Sequence, residues 1–358
     1  MAIKVPTPAK RNSVQRIMAR TLHSSQLRLG SLRFLRSPAF LLTALALASV
    51  APGWAVSCAS QATMPAADRD ALLAAATPLA AAIATQNLAP LQASLLPAVS
   101  ADWESLRSVA QSASPLIKGG ELRWRNVYLV DATDLKTPSD TQFFCTNADS
   151  SITVTINLHS LPSGRYGLLF ADFPPAPLAG QLAFILGNDG GWKLGGLFTR
   201  EGALEGHDGV WYWTRAREQA QKTGIWSAYF SYEAARWLLL PVDFVSSPNL
   251  EQLNREQAQL KSSPLDALPL SLPGAGGKTW RITALHFDAT LHAPDLSLTY
   301  EGTGLTEPVA ARAEAVSVMS ALLKQHPDLR ENFHGLWAYA ESDGKRSFAI
   351  EQAMRDIP

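Results

Sequence analysis

From residue 67 the chain carries apolar side chains at helical spacing: Leu72, Ala76, Leu79 and Ile83 fall at i, i+4, i+7 and i+11 on one face. Pro78 lies inside that pattern and predicts a kink. Leu88, Leu91 and Leu95 mark a second short helix, and Trp103, Leu106 and Ala110 the buried side of a third that starts at Ser100; Gly119 and Gly120 then stop the helical period. Beyond them the period becomes two. Leu122, Trp124, Tyr128 and Val130 alternate with Arg123, Arg125 and Asp131, and Ile152, Val154, Ile156 and Leu158 alternate with Thr153, Thr155, Asn157 and His159, which predicts half-buried strands. Further strands are expected at residues 141–146, 166–173, 182–187 and 192–199. The last two are joined by Asn188, Asp189, Gly190 and Gly191, residues suited to the positive φ of a hairpin turn.

Residues 211–259 return to helical spacing and are rich in aromatics, including Trp211, Trp213, Trp226, Tyr229, Phe230, Tyr232 and Trp237. The stretch 262–277 is Pro-rich and then Gly-rich, and reads as a linker. After it, strands are expected at 280–293 and 295–300, followed by a helix opened by Pro308. The apolar face of that helix is expected to carry Val309, Ala313, Val316, Met319 and Leu323, and a hairpin over 336–340 and 347–353 closes a ββαββ order. The organisation read from these patterns is a signal segment at 1–57, a short tail at 58–66, an α+β domain at 67–200, an aromatic-rich helical hairpin at 201–260, the linker at 261–277 and a C-terminal α+β domain at 278–358.

Two resemblances follow from particular residues. Ile83, Gln86, Asn87 and Pro90 ahead of Leu95, Leu96 and Pro97, together with Ile185, Asn188, Asp189, Gly190, Gly191, Trp192, Lys193 and Leu194, resemble the NTF2-like superfamily over residues 67–200. That resemblance implies a curved antiparallel sheet wrapped around helices as a cone, and a role in binding or assembly; no acid–base pair of its enzymatic members maps onto a position here. Trp213, Ala216, Ala220, Gly224, Ala228, Tyr232 and Ala235 resemble a single tetratricopeptide-type helical hairpin. No second copy follows at about 34 residues, so a solenoid is not expected.

Composition adds location. The 358 residues hold 31 basic and 31 acidic side chains, but eight of the basic ones (Lys4, Lys10, Arg11, Arg16, Arg20, Arg28, Arg33 and Arg36) precede the first carboxylate at Asp68. Without them the balance is 23 against 31, a net of −8, the wrong sign for a nucleic-acid partner. The basic start, the apolar run at 39–51 and the small residues Ala55 and Ser57 have the regions of a secretory signal. Thirteen helical residues reach about 20 Å, short of a hydrocarbon core of about 30 Å. The expected location is therefore periplasmic or extracellular. The two cysteines, Cys58 and Cys145, fit one disulfide in an exported chain. Residues 55–58 also resemble a bacterial lipobox, in which Cys58 carries lipid and provides the one membrane attachment.

Candidate chemistry is sparse. His286, Asp288 and His292 fall on one face of an expected strand as a zinc candidate, although neighbours on such a face lie about 6.5–7 Å apart, a third ligand must come from elsewhere, and a solvated outer face accounts for the same pattern. His207 beside Asp208 reads as an acid–base pair or as a turn, and His159 closes a polar strand face. Trp211, Trp213, Trp226 and Trp237 are either a core or anchors for a partner. There is no nucleophile elbow, metalloprotease helix, phosphate loop or dinucleotide fingerprint, and no cofactor is expected. The reading is an exported envelope protein acting as a non-enzymatic binding or assembly module, its partner an envelope protein, a small apolar ligand or a second copy of itself. A hydrolase working inside the cone is the alternative.

Overall fold

The computed structural model describes residues 56–146, 152–174, 179–222, 224–240, 242–274, 277–305 and 307–358. The expected signal segment lies outside the described residues except for Val56 and Ser57. The first part of the fold comprises β1 (Ser57–Ser60), α1 (Ala66–Ala84), α2 (Ala89–Ala93), α3 (Trp103–Ile117), β2 (Arg123–Asp131), β3 (Ser139–Thr146), β4 (Thr153–Leu161), β5 (Arg165–Asp172), β6 (Gly180–Asn188) and β7 (Trp192–Glu201). The mixed α+β class expected from the two periodicities is observed.

The strands do not form one sheet. β1, β2, β5, β6 and β7 make a five-stranded antiparallel sheet in the order β1-β2-β5-β6-β7, while β3 and β4 leave it as a hairpin belonging to a second sheet. The expectation of half-buried strands fails for the central ones, because both faces of the first sheet are covered. On one face Leu72, Leu79, Ile83, Leu116 and Ile117 of α1 and α3 pack against Leu129, Leu169, Leu182 and Phe184. On the other, Tyr128, Val130, Leu168 and Phe170 meet Phe143, Ile156 and Leu158 of the β3–β4 hairpin. Apolar residues at both odd and even positions of β2, β5 and β6 follow from this double cover. Helix α1 runs through Pro78. It seats Leu72 against Gly167 of β5, where a Cβ would lie 2.1 Å from a Leu72 methyl. Only glycine lets helix and strand approach so closely.

Cys58 on β1 and Cys145 on β3 form a disulfide, 87 residues apart, that joins the two sheets. The bond leaves Cys58 no thiol to carry lipid. A disulfide fits an exported protein, and no helix among the described residues is long and apolar enough to cross a membrane.

After β7 come the short pair β8 (Ala203–Leu204) and β9 (His207–Asp208), α4 (Gly209–Gln221), α5 (Ile225–Leu239), β10 (Val245–Ser246) and α6 (Pro248–Ala258). The aromatic region is thus three helices, and β10 pairs back onto β4 as the third strand of the second sheet. The final unit is β11 (Leu270–Pro273), β12 (Thr279–Asp288), β13 (Asp295–Glu301), α7 (Pro308–Gln325), α8 (Asp328–Asn332), β14 (Gly335–Ser342) and β15 (Lys345–Ala353), in the sheet order β11-β12-β13-β14-β15. The expected linker therefore contains an edge strand, since β11 pairs antiparallel with β12. β13 and β14 are parallel, joined by the crossover through α7 and α8. The expected face of α7 holds in its later turns, where Met319 and Leu323 are buried, and fails in its first turns, where Val309 and Ala313 are exposed. Ala311, Ala315, Val318, Met319 and Leu322 are buried, whereas Val309 is 74% exposed, because Glu307 caps the helix from outside and places Val309 in its solvent-facing first turn.

Candidate functional site

The expected zinc face on β12 does not assemble. The strand ends at Asp288, and His292 sits in the following turn with a left-handed φ of 59°. Its Nδ1 lies 3.0 Å from Oε1 of Glu201, a carboxylate at the end of β7 that also accepts from Trp237 Nε1 at 2.8 Å. Gln181 donates to the carbonyls of Glu201 and Leu238, so this buried group of polar contacts fastens β7, α5 and the turn after β12 together. His286 remains an exposed strand residue opposite Ser297.

The other sequence candidates also find structural roles. Asp208 accepts from the backbone N–H of Trp211 at 2.9 Å as the cap of α4, and the His207 ring stacks on Trp211 with centroids 3.8 Å apart. His159 pairs with Asp140 on an exposed face of the β3–β4 hairpin. Trp226 is buried and stacked on His326. Trp213 donates to Glu256, which Arg217 grips with two hydrogen bonds of 2.7 and 2.8 Å; this grip pulls the Glu256 carboxyl down to about 2. Of the four tryptophans, only Trp211 combines high exposure, 41%, with a place at the rim of a cleft.

That cleft, of about 540 Å³, runs between α4 and the C-terminal unit. His207 and Trp211 stand on one side, with Arg215 beside them, and Arg330, Glu331 and His334 line the other. Its walls are held by directed bonds. Arg215 and Gln219 both donate to Asn332, and Arg330 donates to the carbonyls of Met354 and Ile357 at 2.6 and 2.7 Å. The lining mixes the aromatic rings of Trp211, Tyr212 and Phe333 with charges of both signs.

At the His334 end of the cleft the parallel pairing of β13 and β14 creates a second feature. The register places Leu296 beside Leu336, so the starts of the two strands, Asp295 and Gly335, are neighbours, and β15 runs back alongside with Glu351 opposite Trp337. One ligand atom from each of Asp295, His334 and Glu351 lies within 4.8 Å of the others. Asp295 is fully buried and accepts from His334 Nδ1 at 3.1 Å and from Trp337 Nε1 at 3.3 Å. Burial pushes its carboxyl above the usual range, and Glu351 is raised by burial and by the charge of Asp295. Asp295 and His334 are 39 residues apart in sequence, and no local spacing marked them. The available signals were a carboxylate opening an apolar strand and a histidine directly before another.

Comparison with known protein families, with curated proteins and with solved structures finds no match to this chain.

Proposed function

We propose that this chain is an exported binding or assembly module of the cell envelope, without an active site in its first domain, and that it engages its partner through the cleft between α4 and the C-terminal unit. The observation that carries this reading is the filling of the space between α1, α3 and the first sheet. Leu72, Leu79, Ile83, Leu116, Leu169 and Phe184 occupy it, where a catalytic cone needs converging polar groups in an apolar pocket. The helices lying on one face of that sheet support an NTF2-like arrangement in which the interior serves as scaffold. The exposed Trp211 at the rim supports the cleft as the contact surface, because a rigid aromatic anchor contributes large area at low entropic cost. Its charged lining favours a polar protein segment over a small apolar ligand.

The test is site-specific photocrosslinking in an export-competent host, with a photoreactive residue at Trp211 and, as control, at the exposed Val309 outside the cleft. A discrete adduct from position 211 that is absent from 309 and weakened by Arg215→Glu is expected. Equal adducts from both positions, or none from 211, would sink the cleft as a docking surface.

A further inference from the structure

We infer that Asp295, His334 and Glu351 form a zinc site at the end of the cleft, with one protein ligand from each of three adjacent strand ends and the remaining position open. The inference is independent of what docks in the cleft. Three observations carry it, the first being the donor set. Imidazole with two carboxylates suits a borderline divalent cation better than the all-oxygen sets preferred by magnesium or calcium. Zinc with three protein ligands keeps its fourth position for water or a ligand.

The second observation is distance. Zinc–oxygen and zinc–nitrogen bonds of about 2.0–2.2 Å around a tetrahedral centre set ligand atoms roughly 3.3–3.5 Å apart. His334 Nδ1 and Asp295 Oδ1 are joined by a hydrogen bond of 3.1 Å, which zinc replaces by taking the place of the Nδ1 proton as that proton leaves to solvent, and all three ligand atoms lie within 4.8 Å. Glu351 is only partly buried, whereas Asp295 is fully buried, so Glu351 is the carboxylate that has to move to close the set.

The third is the space kept for the carboxylates. A Cβ at Gly335 would lie 2.7 Å from Oε1 of Glu351 and 2.8 Å from Oδ1 of Asp295, so both oxygens converge on the bare backbone at the start of β14. Two carboxylates brought together this way repel each other, and the compensation in sight is small. Asp295 has His334 and Trp337 as donors, Glu351 receives no hydrogen bond from a described side chain, and Arg330 of the same cleft is committed to the carbonyls of Met354 and Ile357. A doubly charged cation offsets both charges at once, whereas the imidazole alone offsets at most one.

The experiment uses the untagged full chain, stripped with a chelator and titrated with zinc chloride in competition with a chromophoric chelator. Metal content per chain is read by mass spectrometry. One zinc per chain is expected. His334→Ala and Glu351→Gln should each weaken binding tenfold or more, with unchanged circular dichroism, because both side chains reach the surface. Gly335→Ala should abolish binding while leaving all three ligands in the chain; if that variant fails to fold, the other two still decide. Millimolar magnesium should not displace the zinc. Zinc held equally by wild type and by both His334→Ala and Glu351→Gln would place it elsewhere and overturn the inference. Absence of retained zinc would overturn it as well, and displacement by magnesium would overturn the choice of metal.

Discussion

The molecule contains two five-stranded sheets of opposite character. The first is antiparallel throughout, apolar on both faces, and bonded through Cys58 and Cys145 to a second layer. The second contains a parallel pair, and ionisable side chains meet at its strand ends. Antiparallel pairing sets the end of one strand beside the start of its neighbour, whether the two are joined by a hairpin, as β5 and β6 are, or lie far apart in the chain, as β1 and β2 do. The parallel pair instead sets the start of β13 beside the start of β14, and groups from distant parts of the chain gather on one edge. That placement brings the ionisable groups of the second sheet together at its strand ends, although this sheet also packs an apolar core of its own from Leu296, Leu298, Leu336 and Met319.

The largest expected effect tests the first half of this contrast. Replacing Cys58 and Cys145 by Ser removes a link spanning 87 residues, and in the chain-entropy account should cost about 4 kcal/mol. Urea titration measures it. The contrast requires the zinc affinity of the second sheet to stay unchanged in that variant, and a parallel fall would show that the two sheets depend on each other. Next, Leu72→Ala should cost about 3 kcal/mol, because Leu72 is fully buried against Gly167 and the cavity cannot collapse onto a sheet already covered on its other face.

A smaller effect, and one governed by pH, belongs to the helices between the sheets. Glu256 is held at about 2, below its ordinary 4.5, first by the hydrogen bonds from Arg217. A carboxyl depressed in the folded state stabilises fully above 4.5, and its contribution is lost as the pH falls toward 2. Melting temperatures of wild type should therefore fall through that window more steeply than those of Glu256→Gln, and parallel curves would remove this anchor from the account. At the low end, Val309→Ser should change stability by less than about 0.5 kcal/mol, since the side chain is 74% exposed. A larger loss in a thermal melt would mean that this first turn of α7 is covered by something in solution.

Local pattern and long-range topology differed in how far they could be read. The buried face of α1 is legible because Leu72, Ala76, Leu79 and Ile83 meet one surface. The turn between β6 and β7 is legible because Gly190 and Gly191 adopt the positive φ their type permits. Alternation in β4 is legible because Ile156 and Leu158 face a core while His159 faces water. It does not say which sheet the strand joins, and β4 pairs with β10, which follows α4 and α5 in the chain. The face of α7 is legible in its later turns, at Met319 and Leu323, and not in its first ones, where Val309 and Ala313 lie in solvent and small apolar residues on both sides blur the period. At the candidate metal site, His286 and Asp288 stood out because they are close in sequence. The residues that converge come from β13, the residue before β14, and β15, and they meet only through pairing no local pattern encodes.

Gly335 has a consequence in terms of descent. Any side chain at this position would push apart the carboxylates of Asp295 and Glu351, so these two can keep their arrangement only where the glycine is kept too. A diverged relative that keeps the chemistry should show a carboxylate opening one strand, a His-Gly pair opening its parallel neighbour, and a second carboxylate on the strand after it. Those four positions offer a means of recognising kin when the remainder of the sequence no longer does.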